Sequence, residues 1–166
     1  MRVIFLDVDG VLNCEGTFKD IYYEWKKTGV RRTELDEKKV ALLKDIIDLT
    51  GSEIVLSSTW RLGFDDKLNP TRTETKDLVK MFNEYGITIL DRTKHLGTRR
   101  GVEIREWLSR HEDVEDFVIL DDDTDMEEYT NTNLVKTSFY GEGLTEEHFD
   151  IIKEKFNIKD KMKDKE

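Results

Sequence analysis

Cysteine and proline each occur once in this 166-residue chain, as Cys14 and Pro70. A lone cysteine excludes an internal disulfide and fits a reducing compartment. A lone proline, with no Gly/Ser-rich run beside it, leaves no evident interdomain linker. No apolar stretch approaches the ~18 residues that a membrane helix needs, and the first residues read as a strand, not as a leader peptide. Positive charge is also short: 27 Lys and Arg against 37 Asp and Glu give a formal net charge of −10. Such a balance argues against a domain that grips nucleic acid by bulk electrostatics, yet it permits a local cationic pocket for a phosphorylated substrate. No coiled-coil heptad and no exposed apolar stripe is evident. The expectation is a cytoplasmic protein with no membrane contact and no obligate protein partner. A length of 166 residues suits one domain, taken as residues 1–158, with the charged tail 159–166 expected to be disordered.

The most informative stretch is Val3-Ile4-Phe5-Leu6-Asp7-Val8-Asp9-Gly10-Val11-Leu12-Asn13. A short apolar run closed by a glycine reads as a central parallel strand buried on both faces. Asp7 and Asp9 then lie at its carboxyl end, where open α/β sheets place their ligands. Two such carboxylates repel unless a cation or a shared proton relieves them, and a hard divalent ion is the simplest answer. An ordinary Asp-Gly turn is the plain alternative. A calcium loop is a poorer one, because it needs further alternating acids and a closing Glu, whereas Val11 and Leu12 follow here.

Two more apolar runs end in chemistry-bearing residues. Glu53-Ile54-Val55-Leu56 leads into Ser57-Ser58-Thr59-Trp60-Arg61, and hydroxyls at a strand end can bind an anion. Phe117-Val118-Ile119-Leu120 leads into Asp121-Asp122-Asp123-Thr124-Asp125. Helices are expected at Thr33–Leu49, capped by Thr33, at Glu74–Tyr85, at Val102–His111, and after a Thr145 cap with Leu144 and Phe149 as a hydrophobic staple. Short strands are expected at Ile87–Leu90 and, at an edge, Asn133–Thr137. The periodicity of Cys14 to Arg32 supports neither a long helix nor a clean strand, and its basic and aromatic residues read as a solvated face with a few packing anchors. Arg99 and Arg100 precede a helix, where cations oppose the helix dipole, which suggests an anionic group nearby. Alternation of strand and helix points to an α/β fold with a parallel sheet.

Leu-Asp-Val-Asp-Gly-Val-Leu-Asn, the apolar strand ending in Ser57, the basic Arg99-Arg100 and the acidic run from Asp121 resemble, in order, the four motifs of the haloacid dehalogenase-like (HAD) phosphohydrolase superfamily. Leu-Ser-Ser-Thr-Trp-Arg, Arg-Gly-x-Glu-Ile-x-x-Trp-Leu and Ile-Leu-Asp-Asp-Asp-x-Asp-Met further resemble the HAD modules associated with RNA-repair proteins. The resemblance implies a three-layer α/β sandwich with a parallel Rossmann-like sheet. It also implies a short helical turn and a β-hairpin flap after the first motif. The intervals between motifs leave no room for a large cap domain.

For activity the resemblance implies an Mg2+-dependent phosphatase working through an aspartyl-phosphate. In that scheme Asp7 is the nucleophile and Asp9 the acid/base. Asp7, Asp122 and the Asp9 carbonyl hold the metal, with Asp121 a second ligand or an organiser of waters and Asp125 a buttress. Ser57, or failing it Ser58, and Arg100 contact the phosphate, with Arg99 and Lys94 as rivals for the cation; Arg61 assists substrate binding. The implied substrates are a phosphorylated small molecule, a nucleotide or a nucleic-acid end. Two other classes fit parts of the pattern: a phosphorylatable receiver-like domain, although its acidic pair and phosphoacceptor come in a different order, and a non-catalytic HAD-like phosphate-binding module.

Overall fold

The structure, a computed structural model, describes residues 1–159. Apart from its first residue, the charged tail expected at 159–166 lies outside them.

Five parallel strands form one sheet in the order β3-β2-β1-β4-β5. They are β1 (Arg2–Leu6), β2 (Glu53–Leu56), β3 (Ile89–Arg92), β4 (Asp116–Asp121) and β5 (Leu134–Lys136). The helices are α1 (Glu15–Thr28), α2 (Glu37–Thr50), α3 (Thr73–Glu84), α4 (Arg100–Ser109) and α5 (Glu146–Lys155). Two 3-10 turns, Thr59–Gly63 and Glu127–Asn131, complete the set.

Because β1 is central, its side chains are buried on both faces, which explains its unbroken apolar run. Ile4 and Leu6 pack with Val40, Leu43 and Ile46 of α2, Leu78 and Phe82 of α3 and Ile152 of α5. Val3 and Phe5 turn to the other face and meet Ile104 and Trp107 of α4 and Met126. The result is a three-layer α/β sandwich with no cap domain. Strand order reverses after β3, so the chain leaves β1 on one side and returns to its other side at β4. That switch point opens the crevice in which such sheets bind ligands. Among the described residues no helix is long and apolar enough to cross a membrane.

Three local expectations are corrected. Cys14 to Arg32, whose periodicity supported no long helix, holds a 14-residue helix, α1, in place of a hairpin flap, while its expected solvated face is kept in the exposed Tyr22, Tyr23 and Trp25. Thr17 Oγ1 accepts from the Cys14 N–H (3.1 Å) at its start, and Gly29, at φ 68°, closes it with an N–H to the Trp25 carbonyl. The Thr33 cap is also displaced: α2 starts at Glu37, with the Asp36 carboxylate accepting from Lys38 N–H (3.0 Å). The Asp36 N–H itself donates to the Leu12 carbonyl (2.9 Å), a tertiary bond that fixes Asp36 ahead of the helix, after a bend at Glu34 and Leu35. Last, β3 runs two residues further along than expected, to Arg92, after a register shift beside Ile54.

Phe5 is fully buried and meets Trp107 and Phe117 edge-on, at 5.4 and 5.6 Å between ring centroids. Phe5→Ala is expected to cost about 3–5 kcal/mol of folding stability; urea denaturation reads this directly.

Candidate active site

Pleating decides which side chains meet at the switch point. Leu6 lies in register with Leu56 and Leu120, and all three face the α2, α3 and α5 layer. One residue on, each chain turns to the α4 face. Asp7, Ser57 and Asp121 therefore point to the same side. The ladder persists that far: Asp7 N–H donates to the Leu120 carbonyl (2.9 Å) and Ser57 N–H to the Leu6 carbonyl (3.0 Å).

Arg100, the first residue of α4, faces this group. Its Nη1 donates to Asp121 Oδ2 at 2.5 Å and lies 3.5 Å from Asp7 Oδ1. The rivals are elsewhere: Arg99 pairs with Glu127 (3.0 Å) and exposed Lys94 with Glu106 (3.6 Å). A cation opening a helix is accommodated because Asp125 answers the helix end. Asp125 Oδ2 accepts from Arg100 N–H (3.1 Å), and its carbonyl accepts from Gly101 N–H (2.9 Å). A Cβ on Gly101 would lie 2.3 Å from the Met126 carbonyl carbon. Glycine lets α4 come that close.

The fourth acid, Asp122, comes in over Gly10. At φ 84° Gly10 takes a left-handed turn, and an added Cβ would fall 2.3 Å from Asp122 Oδ2. One oxygen each from Asp7, Asp121 and Asp122 then lie within 4.8 Å of one another. Burial, with the charges of Asp121 and Asp122, pushes the Asp7 carboxyl well above the usual carboxylate range against the pull of Arg100. Burial raises Asp121 too, with Arg100 opposing. Arg100 is itself desolvated, but Asp121 and Asp7 outweigh that and hold it charged. One arginine among three close carboxylates leaves net negative charge with oxygen donors, a set that fits a hard divalent cation.

Asp9 is held apart from the carboxylate trio. Its Oδ1 accepts from Asn13 Nδ2 (3.0 Å) and its Oδ2 from Trp60 Nε1 (3.1 Å). Asn13 Oδ1 also accepts from Gly10 N–H (2.9 Å), and Thr137 Oγ1 donates to the Gly10 carbonyl (2.6 Å). Asn13, Trp60 and Thr137 were not singled out in the sequence, although Asn13 and Trp60 sit inside the recognisable motifs. Their role lies in hydrogen bonds to residues 3 to 127 positions away.

The two serines differ. Ser57 Oγ is buried with no hydrogen-bond partner among the described residues, an orphaned donor at the end of β2. Ser58 Oγ accepts from Trp60 N–H (3.1 Å) and caps the first 3-10 turn. Arg61 departs from the substrate-binding role expected of it. It is 3% exposed, and its Nη1 donates to the Ser57 and Ser58 carbonyls (2.9 Å each). Its Nη2 donates to Glu103 Oε1 (2.9 Å). Burial lowers its pKa, against the charge of Glu103. Glu103 Oε2 accepts from Leu96 N–H (2.7 Å), so one carboxylate ties the serine loop, the 93–99 loop and α4 together.

A family model described as "HAD domain in Swiss Army Knife RNA repair proteins" matches residues 3–149. No curated protein and no solved structure matched the chain.

The Arg61–Glu103 pair is 3% exposed at both residues. Glu103→Leu leaves a buried guanidinium uncompensated and is expected to cost roughly 3–5 kcal/mol, measured by chemical denaturation. An unchanged midpoint would show that the pair does not hold the loop.

Proposed function

The chain belongs to the family of HAD domains in Swiss Army Knife RNA repair proteins, and from that membership we propose that it is an Mg2+-dependent phosphomonoester hydrolase acting on nucleotides or polynucleotide ends. The observation that carries this reading is Asp7. It sits at the switch point between β1 and β4, with Asp121 and Asp122 within 4.8 Å and Arg100 at 3.5 Å.

In this reading an Asp7 oxygen attacks phosphorus, and the bond from phosphorus to the alcohol oxygen breaks. Asp9, held by Asn13 and Trp60, gives its proton to that leaving oxygen. The aspartyl-phosphate splits one hard displacement into two easier ones. Asp9, now a carboxylate, takes a proton from water, whose oxygen attacks phosphorus and frees Asp7 and inorganic phosphate. Ser57 Oγ, without a partner among the described residues, donates to one phosphoryl oxygen, and Arg100 faces another. Asp7 and Asp122, with the Asp9 main-chain carbonyl and Asp121 beside them, would hold Mg2+, which would supply positive charge to offset the carboxylates and the incoming phosphate.

Phosphate release is to be measured with Mg2+ on mononucleotides, 3′- and 5′-phosphorylated oligonucleotides, sugar phosphates and a phosphopeptide. Release is expected only with Mg2+ and best on nucleotide or oligonucleotide ends. Asp7→Asn should lower it by at least about a thousandfold, and Asp9→Asn by roughly 10²–10⁴. Full turnover by Asp7→Asn would sink the mechanism, and a stable phospho-Asp7 without turnover would favour a signalling domain. A separate readout tests the cation: Mg2+ should raise the melting temperature of the wild type and raise that of Asp122→Asn much less. Equal shifts would remove Asp122 from the metal site.

A further inference from the structure

Among the described helices, α1 alone contributes no residue to either apolar cluster. Its sequence nevertheless carries Phe18, Ile21, Tyr22 and Trp25, spaced i, i+3, i+4 and i+7. A stripe of that spacing normally faces a core. Here half of it faces solvent: Tyr22 is 51% exposed, Trp25 50% and the neighbouring Tyr23 65%, while Phe18 and Ile21 are half-buried and the Phe18 ring lies 5.8 Å from that of Phe139. The sequence read this stretch as a solvated face but not as a helix, so the alignment of its rings along one side was not seen. With Arg31 the four side chains line a concavity of about 350 Å³.

Charge narrows the choice of occupant. The chain as a whole carries −10, yet in this segment Lys19, Lys26, Lys27, Arg31 and Arg32 outnumber Glu15, Asp20 and Glu24. Lys26 Nζ stands 5.2 Å from the Tyr22 ring centroid, so cation and π-face are presented together. Exposed rings interleaved with cations suit a polyanion whose flat bases stack. A second copy of the helix would favour an aliphatic seam, and the stripe offers only Ile21.

Place supports the same occupant. α1 begins two residues after Asn13, whose amide holds Asp9. At its far end the chain returns through Arg31 to Glu34, whose carboxyl is raised by burial and by Asp9 and lowered by Arg31. The start of the segment thus lies beside Asp9, and the Asp9 charge is felt at Glu34 beyond its end.

We propose that α1 and its return through Arg31 form a stacking platform for a single-stranded polynucleotide whose terminal phosphate enters the Asp7 site. The inference rests on the hydrolase reading and names the substrate class that reading leaves broad. The rings of Tyr22 and Trp25 take bases, and the flanking lysines and arginines take backbone phosphates.

The experiment is fluorescence anisotropy with a short labelled oligouridylate, using wild type, Tyr22→Ala and Trp25→Ala. Both residues are about half exposed, and circular dichroism checks that each variant keeps its fold. Binding is expected in the wild type, weakening with salt, and should fall about tenfold in either variant. In phosphate release, the preference for an oligonucleotide end over a mononucleotide should fall by a similar factor. No oligouridylate binding by the wild type, or binding by both variants undiminished from the wild type, would overturn the platform. So would a dimer that Trp25→Ala dissolves in a protein that binds no oligouridylate. Absent phosphate release on every substrate, with Trp25-dependent binding intact, would overturn the hydrolase reading alone and support the platform.

Discussion

Crowding of like charge at the carboxyl ends of β1 and β4 is the constraint on which the rest of the molecule depends. Two unit charges about 4 Å apart interact by roughly 4 kcal/mol at an effective dielectric of 20, and here three carboxylates share such a space. Arg100 offsets part of that repulsion by reaching Asp121 and Asp7 with one nitrogen. The remainder is the electrostatic reason for reading the trio as a cation site.

Holding Arg100 in that place occupies much of the surrounding architecture. Its helix is pinned at the start by Asp125 and brought against the Met126 backbone by Gly101. One turn further along, Glu103 binds Arg61, which in turn holds the carbonyls of Ser57 and Ser58. Cation, hydroxyl and carboxylates are thereby set by a single buried network, and the Ser57 hydroxyl is left over within it. A group that the protein itself does not satisfy is suited to an incoming oxygen.

The motif strands were legible because each is local: a buried apolar run, then a change to polar residues. Asp7 and the acidic run at Asp121 could be placed at strand ends by that pattern alone. α1 was not legible, since its apolar stripe is interrupted by Lys19, Tyr23 and Glu24 and packs against neither core cluster. Thr33 and Asp36 are both good caps, and the hydrogen bond of Asp36 N–H to Leu12 decides between them. Arg61 read as a substrate residue because it closes the Ser57–Arg61 stretch that resembles the second family motif. Its burial follows from Glu103, 42 positions away.

What the sequence determined by itself is the alternation of strand and helix and the chemistry available at each strand end, because periodicity and residue type are local properties. What only the tertiary structure decided is which of several equivalent neighbours faces the crevice: Arg100 and not Arg99 or Lys94, with the Ser57 hydroxyl unpartnered and that of Ser58 engaged as a cap. The reason is geometric. One residue along a strand reverses the face of the sheet, and one residue along a helix turns the side chain by about 100°, so neighbours of like chemistry end in unlike surroundings.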